Sequence, residues 1–153
     1  MSFHTSMTLD QFNEQVFNCQ DEAFTLAVAL VADEKVACKV VQESILQVYG
    51  NYGNDEPSIA VRVLQCVILS CRQASVSMWG GVEECVSGWN QLECYEQEAL
   101  LLVDVLGKTY QYAALILTCS EWNVTRLVAR GRCKLSMAFH LVSEQHKQTK
   151  RKQ

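Results

Sequence analysis

Four basic side chains with helical spacing lie in the last third of the sequence, where they could contact the phosphates of a nucleic acid. An aromatic residue and a hydroxyl residue come just before them in the sequence. The candidate contact residues are Trp122, Thr125, Arg126, Arg130, Arg132 and Lys134. Lysine and arginine bind phosphate oxygens, and arginine also forms paired hydrogen bonds with base edges. Such chemistry requires these side chains to share an exposed face, which a helix can provide.

The segment that follows Ser120 has the period of an amphipathic helix. At about 100° per residue, its apolar residues fall on one side. These are Val124, Leu127, Val128, Gly131, Leu135, Ala138 and Val142. Trp122, Thr125, Arg126, Arg130 and Arg132 fall on the other side. A solvated basic face on a helical bundle is the alternative interpretation of this pattern.

Two shorter helices are predicted immediately upstream. The first covers about 96–106 and ends at Gly107, because glycine readily adopts the left-handed conformation that closes a helix. The second covers about 110–117, with Thr109 as its N-cap. A break at 118–120 follows, with Ser120 as the N-cap of the amphipathic helix. A short helix, a tight turn and a helix with a basic outer face form a helix-turn-helix, whose second helix enters the DNA major groove.

Charge is distributed unevenly along the 153 residues. Residues 1–107 contain 15 acidic and 4 basic residues, whereas residues 108–153 contain 2 acidic and 9 basic residues. The formal net charge of −4 therefore conceals a basic C-terminal third. A local density of lysine and arginine indicates affinity for polyanions such as nucleic acid.

Three helices are predicted in the N-terminal half. Thr8 and Gln11 form a capping box, and Asp33 can cap the second helix. Pro57 is expected in the first turn of the third, where proline is well tolerated. The expected ranges are 8–31 with a break near 18–21, 34–49, and 58–72, with a loop at 50–55. Phe12, Val16 and Phe17 are expected to share a side of the first helix.

These patterns predict an all-α protein of two small helical domains joined by a linker. The first domain covers residues 1–74, and the linker, rich in glycine and serine, covers 75–91. The helix-turn-helix domain covers 92–142, and a basic tail covers 143–153. Trp79 and Trp89 in the linker are expected to pack between the domains.

The remaining residue types give little indication of catalysis or metal binding. The eight cysteines form no CxxC pair, which favours reduced thiols used as small apolar residues. The three histidines lie near the chain ends, away from any candidate nucleophile, so we expect no enzyme activity and no cofactor. No apolar run is long enough for a membrane span and the start resembles no signal peptide, so a cytoplasmic location is predicted.

The C-terminal motifs resemble region 4 of bacterial sigma factors of the extracytoplasmic-function type. They are ALLLVDVLG ending at Gly107, Y-x-x-A-A-x-I-L from Tyr110, C-S-E-x-N-V from Cys119, and a later R-x-R. Residues 24–49 are similar to region 2 of the same family, with Ala37, Gln42, Glu43 and Tyr49 at the expected offsets. The resemblance implies binding to core RNA polymerase and promoter DNA, and regulation by an anti-sigma factor.

Several positions depart from the family pattern. Lys39 replaces an acid that, in the family, helps to hold the polymerase clamp. The helix expected to capture unwound promoter DNA has only Arg62 and Arg72 and lacks aromatics, although flipped bases need stacking surfaces. Gln97 and Tyr112 replace a usual arginine and glutamate. The alternative function is therefore a sigma-mimicking regulator that binds an anti-sigma factor, or another protein, without promoter melting. A thiol-based sensor on a helical scaffold is a third hypothesis.

Overall fold

The computed structural model describes residues 7–51, 57–78 and 88–150, and these form six α-helices with no β-strand among them. The helices are α1 (Leu9–Val31), α2 (Glu34–Asn51), α3 (Ile59–Met78), α4 (Cys94–Leu100), α5 (Tyr110–Leu117) and α6 (Glu121–Lys150). The prediction of an all-α protein is confirmed.

The described residues divide into two compact units. The first contains the residues up to Met78 together with Leu115–Leu117, and the second contains the rest. Of the predicted linker, 79–87 lie outside the described residues, and so does Trp79. α3 continues to Met78 at one end of the predicted linker, and Trp89–Gln91 form a 3₁₀ turn at the other.

α1 begins at the capping box that the sequence predicted. The Gln11 amide donates to Thr8 Oγ1 at 3.3 Å, and the Thr8 amide donates to Gln11 Oε1 at 3.0 Å. The helix then continues unbroken to Val31, so the predicted break near 18–21 is wrong. Cys19 and Ala23 are buried there, and this packing outweighs the weak helix propensity of the surrounding polar residues.

The other two helices of the first unit also begin at polar caps. The Val36 amide donates to Asp33 Oδ1 at 2.9 Å, as predicted. The Val61 amide donates to Ser58 Oγ at 3.4 Å, so Pro57 precedes α3 and does not lie in its first turn. α2 includes the first two residues of the predicted loop, and 52–56 lie outside the described residues.

α1 packs on both α2 and α3, and the core lies among the three helices. Its fully buried side chains include Leu26 of α1, Ala37 of α2 and Leu64 of α3. Phe12 is buried and contacts the Tyr49 ring edge-on, with the ring centroids 5.0 Å apart. Phe17 is 71% exposed, so the prediction that it shares the buried side with Phe12 is wrong. The two residues are five positions apart, which turns them away from each other.

In the second unit, α4 packs on α6. α4 continues into a π-helical segment, Leu101–Val105, which replaces the single predicted helix over 96–106. Gly107 ends this segment with a φ of +63°, the left-handed conformation that the sequence predicted. Among the described residues, no helix combines the length and apolar character that crossing a membrane requires.

α6 begins after Ser120 and continues to Lys150, so most of the predicted tail is helical. Residues 151–153 lie outside the described residues, as do the side chains of 142 and 145–150. Within the described part of the helix, the predicted apolar side faces inward at Val124, Val128, Gly131 and Ala138. The amphipathic character expected from the sequence is therefore confirmed.

Candidate nucleic-acid interface

The turn between α5 and α6 closes one helix and caps the next. Thr118 has a φ of +53°, a left-handed conformation that is uncommon for a β-branched residue. The Cys119 amide then donates to the Ala114 carbonyl at 3.1 Å, and this bond satisfies an acceptor at the end of α5. On the other side of the turn, the Asn123 amide donates to Ser120 Oγ at 3.2 Å. The chain therefore forms a helix-turn-helix at the place the sequence predicted.

Close packing between α4 and α6 fixes the position of the second helix. Val124 and Val128 have almost no exposed surface, and Gly131 is buried against α4. A methyl group at Gly131 would lie 2.7 Å from Leu100 Cδ1 and 3.6 Å from Glu96 Cβ. The missing side chain thus allows the two helices to approach, and the opposite side of α6 faces outward.

The exposed start of α6 presents an aromatic ring beside a guanidinium group. Trp122 is 67% exposed, and Arg126 Cζ lies 5.1 Å from its ring centroid, which is within cation–π distance. Thr125 is exposed beside them, with its hydroxyl donating to the Glu121 carbonyl at 3.0 Å. Within the described residues, no carboxylate pairs with Arg126. This group can offer a positive charge and a stacking surface to a ligand.

Lys134 and Arg130 contact a buried carboxylate on α4. The Glu96 side chain has 0% exposure. Lys134 Nζ donates to Glu96 Oε2 at 2.7 Å, and Arg130 Nε lies 3.4 Å from Glu96 Oε1. Arg130 does not form an aligned hydrogen bond to that oxygen, so its contribution is mainly that of a nearby positive charge.

Two further carboxylates contact basic side chains of α6. Glu93 Oε1 lies 3.5 Å from Arg130 Nη2 and 3.9 Å from Lys134 Nζ. Arg132 Nε donates to Asp104 Oδ2 at 3.0 Å, and Arg132 Nη2 donates to Asp104 Oδ1, which makes the pair bidentate. The hydrogen bond and charge of Asp104 raise the pKa of Arg132 above its ordinary value.

The ionisation of Glu96 depends on these partners. Burial opposes the charged form of the carboxyl and by itself raises its pKa. The hydrogen bonds from Lys134 and the Glu93 amide, together with the charges of Lys134 and Arg130, outweigh burial, so that the pKa of Glu96 is lowered. Glu96 is therefore a charged carboxylate at neutral pH, and it holds both cations against α4.

The structure thus divides the six candidate residues into two groups. Trp122, Thr125 and Arg126 lie together on the exposed start of α6. Arg130, Arg132 and Lys134 lie beside α4 and the π-helical segment, each paired with an acid. Sequence reasoning did not identify the acids Glu93, Glu96 and Asp104. They are 28 to 41 positions from their partners, and no short-range pattern connects residues so far apart.

Two residues that depart from the sigma-factor pattern, Lys39 and Gln97, have contact partners in the structure. Lys39 is exposed on α2, with its Nζ 3.8 Å from Glu43 Oε1. Gln97, at the position of the usual arginine, donates from Nε2 to the Trp89 carbonyl at 3.0 Å. The side chain therefore fastens the 3₁₀ turn to α4, which is a structural role within the second unit.

The cysteines are scattered through both units. Cys19 and Cys71 are buried in the first unit, whereas Cys38, Cys94 and Cys133 are exposed. Burial raises the pKa of the Cys66 and Cys119 thiols and so favours their unreactive protonated form. Cys85 lies outside the described residues. Among the described residues, no group of three or more His, Cys, Asp or Glu side chains could hold a metal ion.

Comparison with known proteins gives a similarity of fold. No protein-family model and no curated protein matches the sequence. The sigma factor RpoE from Bartonella quintana, solved with the anti-sigma factor NepR, superposes with a TM-score of 0.69 at 15% identity, covering 86% of this chain and 98% of that one. The chain has a sigma-factor fold.

A second solved structure supports this result. CnrH, in complex with the cytosolic domain of CnrY, gives a TM-score of 0.70 at 16% identity, over 89% of this chain and 92% of that chain. The sigma-factor fold therefore agrees with the resemblance seen in the region 2 and region 4 motifs. Since identity is low, the likeness is one of fold, and the side chains on α6 must be considered on their own chemistry.

Proposed function

We propose that this protein is a transcription regulator that binds duplex DNA through the start of α6. The observation that supports this most is the Trp122–Arg126 pair, exposed at the first turns of the second helix of a helix-turn-helix. The N-terminal residues of such a helix contact base edges in the major groove. Thr125 lies beside Arg126, and because its hydroxyl donates to the Glu121 carbonyl, its oxygen can accept a hydrogen bond from a base.

In this proposal, the DNA is a promoter element and the protein recruits core RNA polymerase in the cytoplasm, as a sigma factor does. Arg130 and Arg132 would contact the adjoining phosphates, and Lys134 would contribute its positive charge from its place beside Glu96. The sigma-factor fold and the region 2 and region 4 motifs together support this role. The basic C-terminal third supplies the positive charge that duplex binding needs.

A duplex-binding titration of an Arg126→Ala variant tests the proposal. Removing a guanidinium that contacts a base or phosphate is expected to weaken binding by about tenfold at low salt. Lys39→Ala is the matched control, since it also removes one exposed positive charge but lies on α2. Arg130→Ala is a poorer test because that side chain contacts buried Glu96. Equal binding by the Arg126→Ala variant and the wild type would refute the assignment.

A second candidate is a sigma-mimicking regulator that binds an anti-sigma factor and does not melt promoters. Large apolar side chains exposed on the first unit, Phe17 and Leu46, favour a protein partner. RpoE and CnrH were each solved in complex with a protein partner. A pull-down with core RNA polymerase separates the candidates. Stable polymerase binding supports the sigma factor, and its absence, with a folded protein, supports the regulator.

A further inference from the structure

Half of the candidate DNA-contacting side chains are engaged in ion pairs inside the second unit. Three carboxylates hold three cations, and we call these six residues the ion-pair cluster. Its members are Glu93, Glu96, Asp104, Arg130, Arg132 and Lys134. The formal charges within the ion-pair cluster cancel. A phosphate that approaches this part of α6 therefore meets carboxylates as well as cations.

The three carboxylates differ in how readily they can release a cation. Glu96 has no exposed surface, and leaving a buried carboxylate without its partners is strongly unfavourable. Glu93 is 60% exposed and the Asp104 side chain is 36% exposed, so water can replace the cation on either of them. Exposed ion pairs are weak, and a phosphate can compete for their cations.

The pairing geometry assigns different cations to the two exposed acids. Arg132 pairs with Asp104 in a bidentate geometry, and Arg130 reaches Glu93. Lys134 is closer to buried Glu96, at 2.7 Å, than to Glu93, at 3.9 Å. Arg132 can therefore be released to a ligand, and Arg130 can turn its Nη2 from Glu93 to a ligand while its Nε stays near Glu96. Lys134 stays with Glu96.

We propose that Glu93 and Asp104 are autoinhibitory carboxylates, which occupy Arg130 and Arg132 and thereby limit the affinity of α6 for DNA phosphates. This inference rests on the proposed function of α6. In the absence of DNA, Arg126 is the candidate cation of this helix that carries no acid partner among the described residues. Each arginine that moves to a phosphate must first leave its carboxylate, and the exposed carboxylate then repels the nearby phosphate.

Acid-to-amide substitutions provide the direct test. Glu93→Gln and Asp104→Asn preserve side-chain shape while removing one negative charge each. Each is expected to tighten duplex binding by about three- to tenfold at low salt, because it removes a repulsion and frees a cation. The dependence of affinity on salt should also become steeper, since more cations contact phosphate.

Glu43→Gln is the matched control for the change of net charge. Glu43 is an exposed glutamate that pairs with Lys39 in the first unit, so its substitution makes the same change away from α6. Thermal unfolding of all three variants verifies that each is folded. Tightening in Glu43→Gln equal to that in Glu93→Gln would show that net charge alone is responsible, and would overturn the inference.

A double-mutant cycle determines whether Asp104 acts through Arg132. Asp104→Asn is introduced into the wild type and into an Arg132→Ala background. If Asp104 restrains Arg132, most of the gain in affinity disappears when Arg132 is absent. An equal gain in both backgrounds would mean that Asp104 merely repels DNA, and would contradict the release of a paired arginine.

The same titrations separate failure of this inference from failure of the proposed function. If the wild type binds duplex and Arg126→Ala weakens it, but neither acid-to-amide variant tightens it, only the inference is overturned. If no variant binds duplex at any salt concentration, the proposed function fails and the inference fails with it. Binding that appears only in the acid-to-amide variants would support both.

Discussion

Glu96 is a buried carboxylate of the second unit that two cations contact. Its carboxyl has a lowered pKa in the folded chain because Lys134, Arg130 and the Glu93 amide favour the charged form. The unfolded chain, with an ordinary pKa of 4.5, takes up the proton first as the pH falls. The stabilisation is therefore complete above the unfolded pKa and is lost as the pH falls through the folded pKa.

Urea unfolding measured at pH values from 7 to 3 checks this expectation. The free energy of unfolding should fall below about pH 4.5, and the fall should be smaller in Glu96→Gln, which cannot titrate. Glu14→Gln, which removes an exposed carboxyl of α1, is the control for the loss of one acidic group. An unchanged acid dependence in Glu96→Gln would contradict the role given to this carboxyl.

Gly131 is a second position where one residue determines the packing of the second unit. In Gly131→Ala, the new methyl group would lie 2.7 Å from Leu100 Cδ1, and Leu100 is itself buried. We expect destabilisation of about 1–2 kcal/mol, because overpacking outweighs the better helix propensity of alanine. Denaturant unfolding measures the change.

Gly50 provides the matched control for this substitution. It is also helical, in α2, and a methyl group there meets nothing within 4 Å. Gly50→Ala should therefore stabilise the protein by up to about 1 kcal/mol. If both substitutions raised the free energy of unfolding, the close contact between α4 and α6 at Gly131 would not restrict the side chain at this position.

At the scale of helices, the end of α1 carries avoidable strain. Ala32 is exposed and closes the helix with a φ of +54°, a conformation that costs a non-glycine residue about 1 kcal/mol. Ala32→Gly should raise the free energy of unfolding by about 0.5–1 kcal/mol. Ala29→Gly, in the helix interior, should lower it by a similar amount. If thermal unfolding showed that both substitutions change the stability in the same direction, this account would be refuted.

Helix ends were predictable from the sequence because they depend on nearby residues. Thr8, Asp33, Thr109 and Ser120 each accept a hydrogen bond from an amide three positions on, as their side chains indicated. How far each helix continues was harder to predict. α1, for example, continues through a polar stretch because Cys19 is buried there. Local patterns thus describe where helices begin better than how far tertiary packing extends them.

The candidate site was predictable only in part, for the same reason. Helical periodicity separated the basic side of α6 from its apolar side, where Val124, Val128 and Ala138 are buried. It could not reveal that Glu96 and Asp104, on earlier elements, pair with Lys134 and Arg132. Pairing across two helices depends on how they pack, and a single-helix projection has no information about its neighbour.

At the scale of the whole molecule, the uneven distribution of charge gives DNA binding a local origin. A chain of net charge −4 is repelled by DNA as a whole, so attraction must come from its basic C-terminal third. Screening by salt acts over about 8–10 Å at physiological ionic strength. Contacts made by α6 therefore persist when longer-range repulsion is screened. Moderate salt should distinguish the short-range attraction by α6 from the longer-range repulsion by the rest of the chain.

The π-helical segment Leu101–Val105 has a consequence for how the gene can change. A π-turn differs from an α-turn by one residue, so a single in-frame codon deletion can convert one into the other. Because a π-turn covers one rotation with one residue more than an α-turn, loss of one apolar residue ahead of Asp104 would leave the Asp104 side chain on nearly the same side of the helix. One such deletion therefore shortens the chain by one residue while the Asp104–Arg132 pair and every charged residue in the protein are retained.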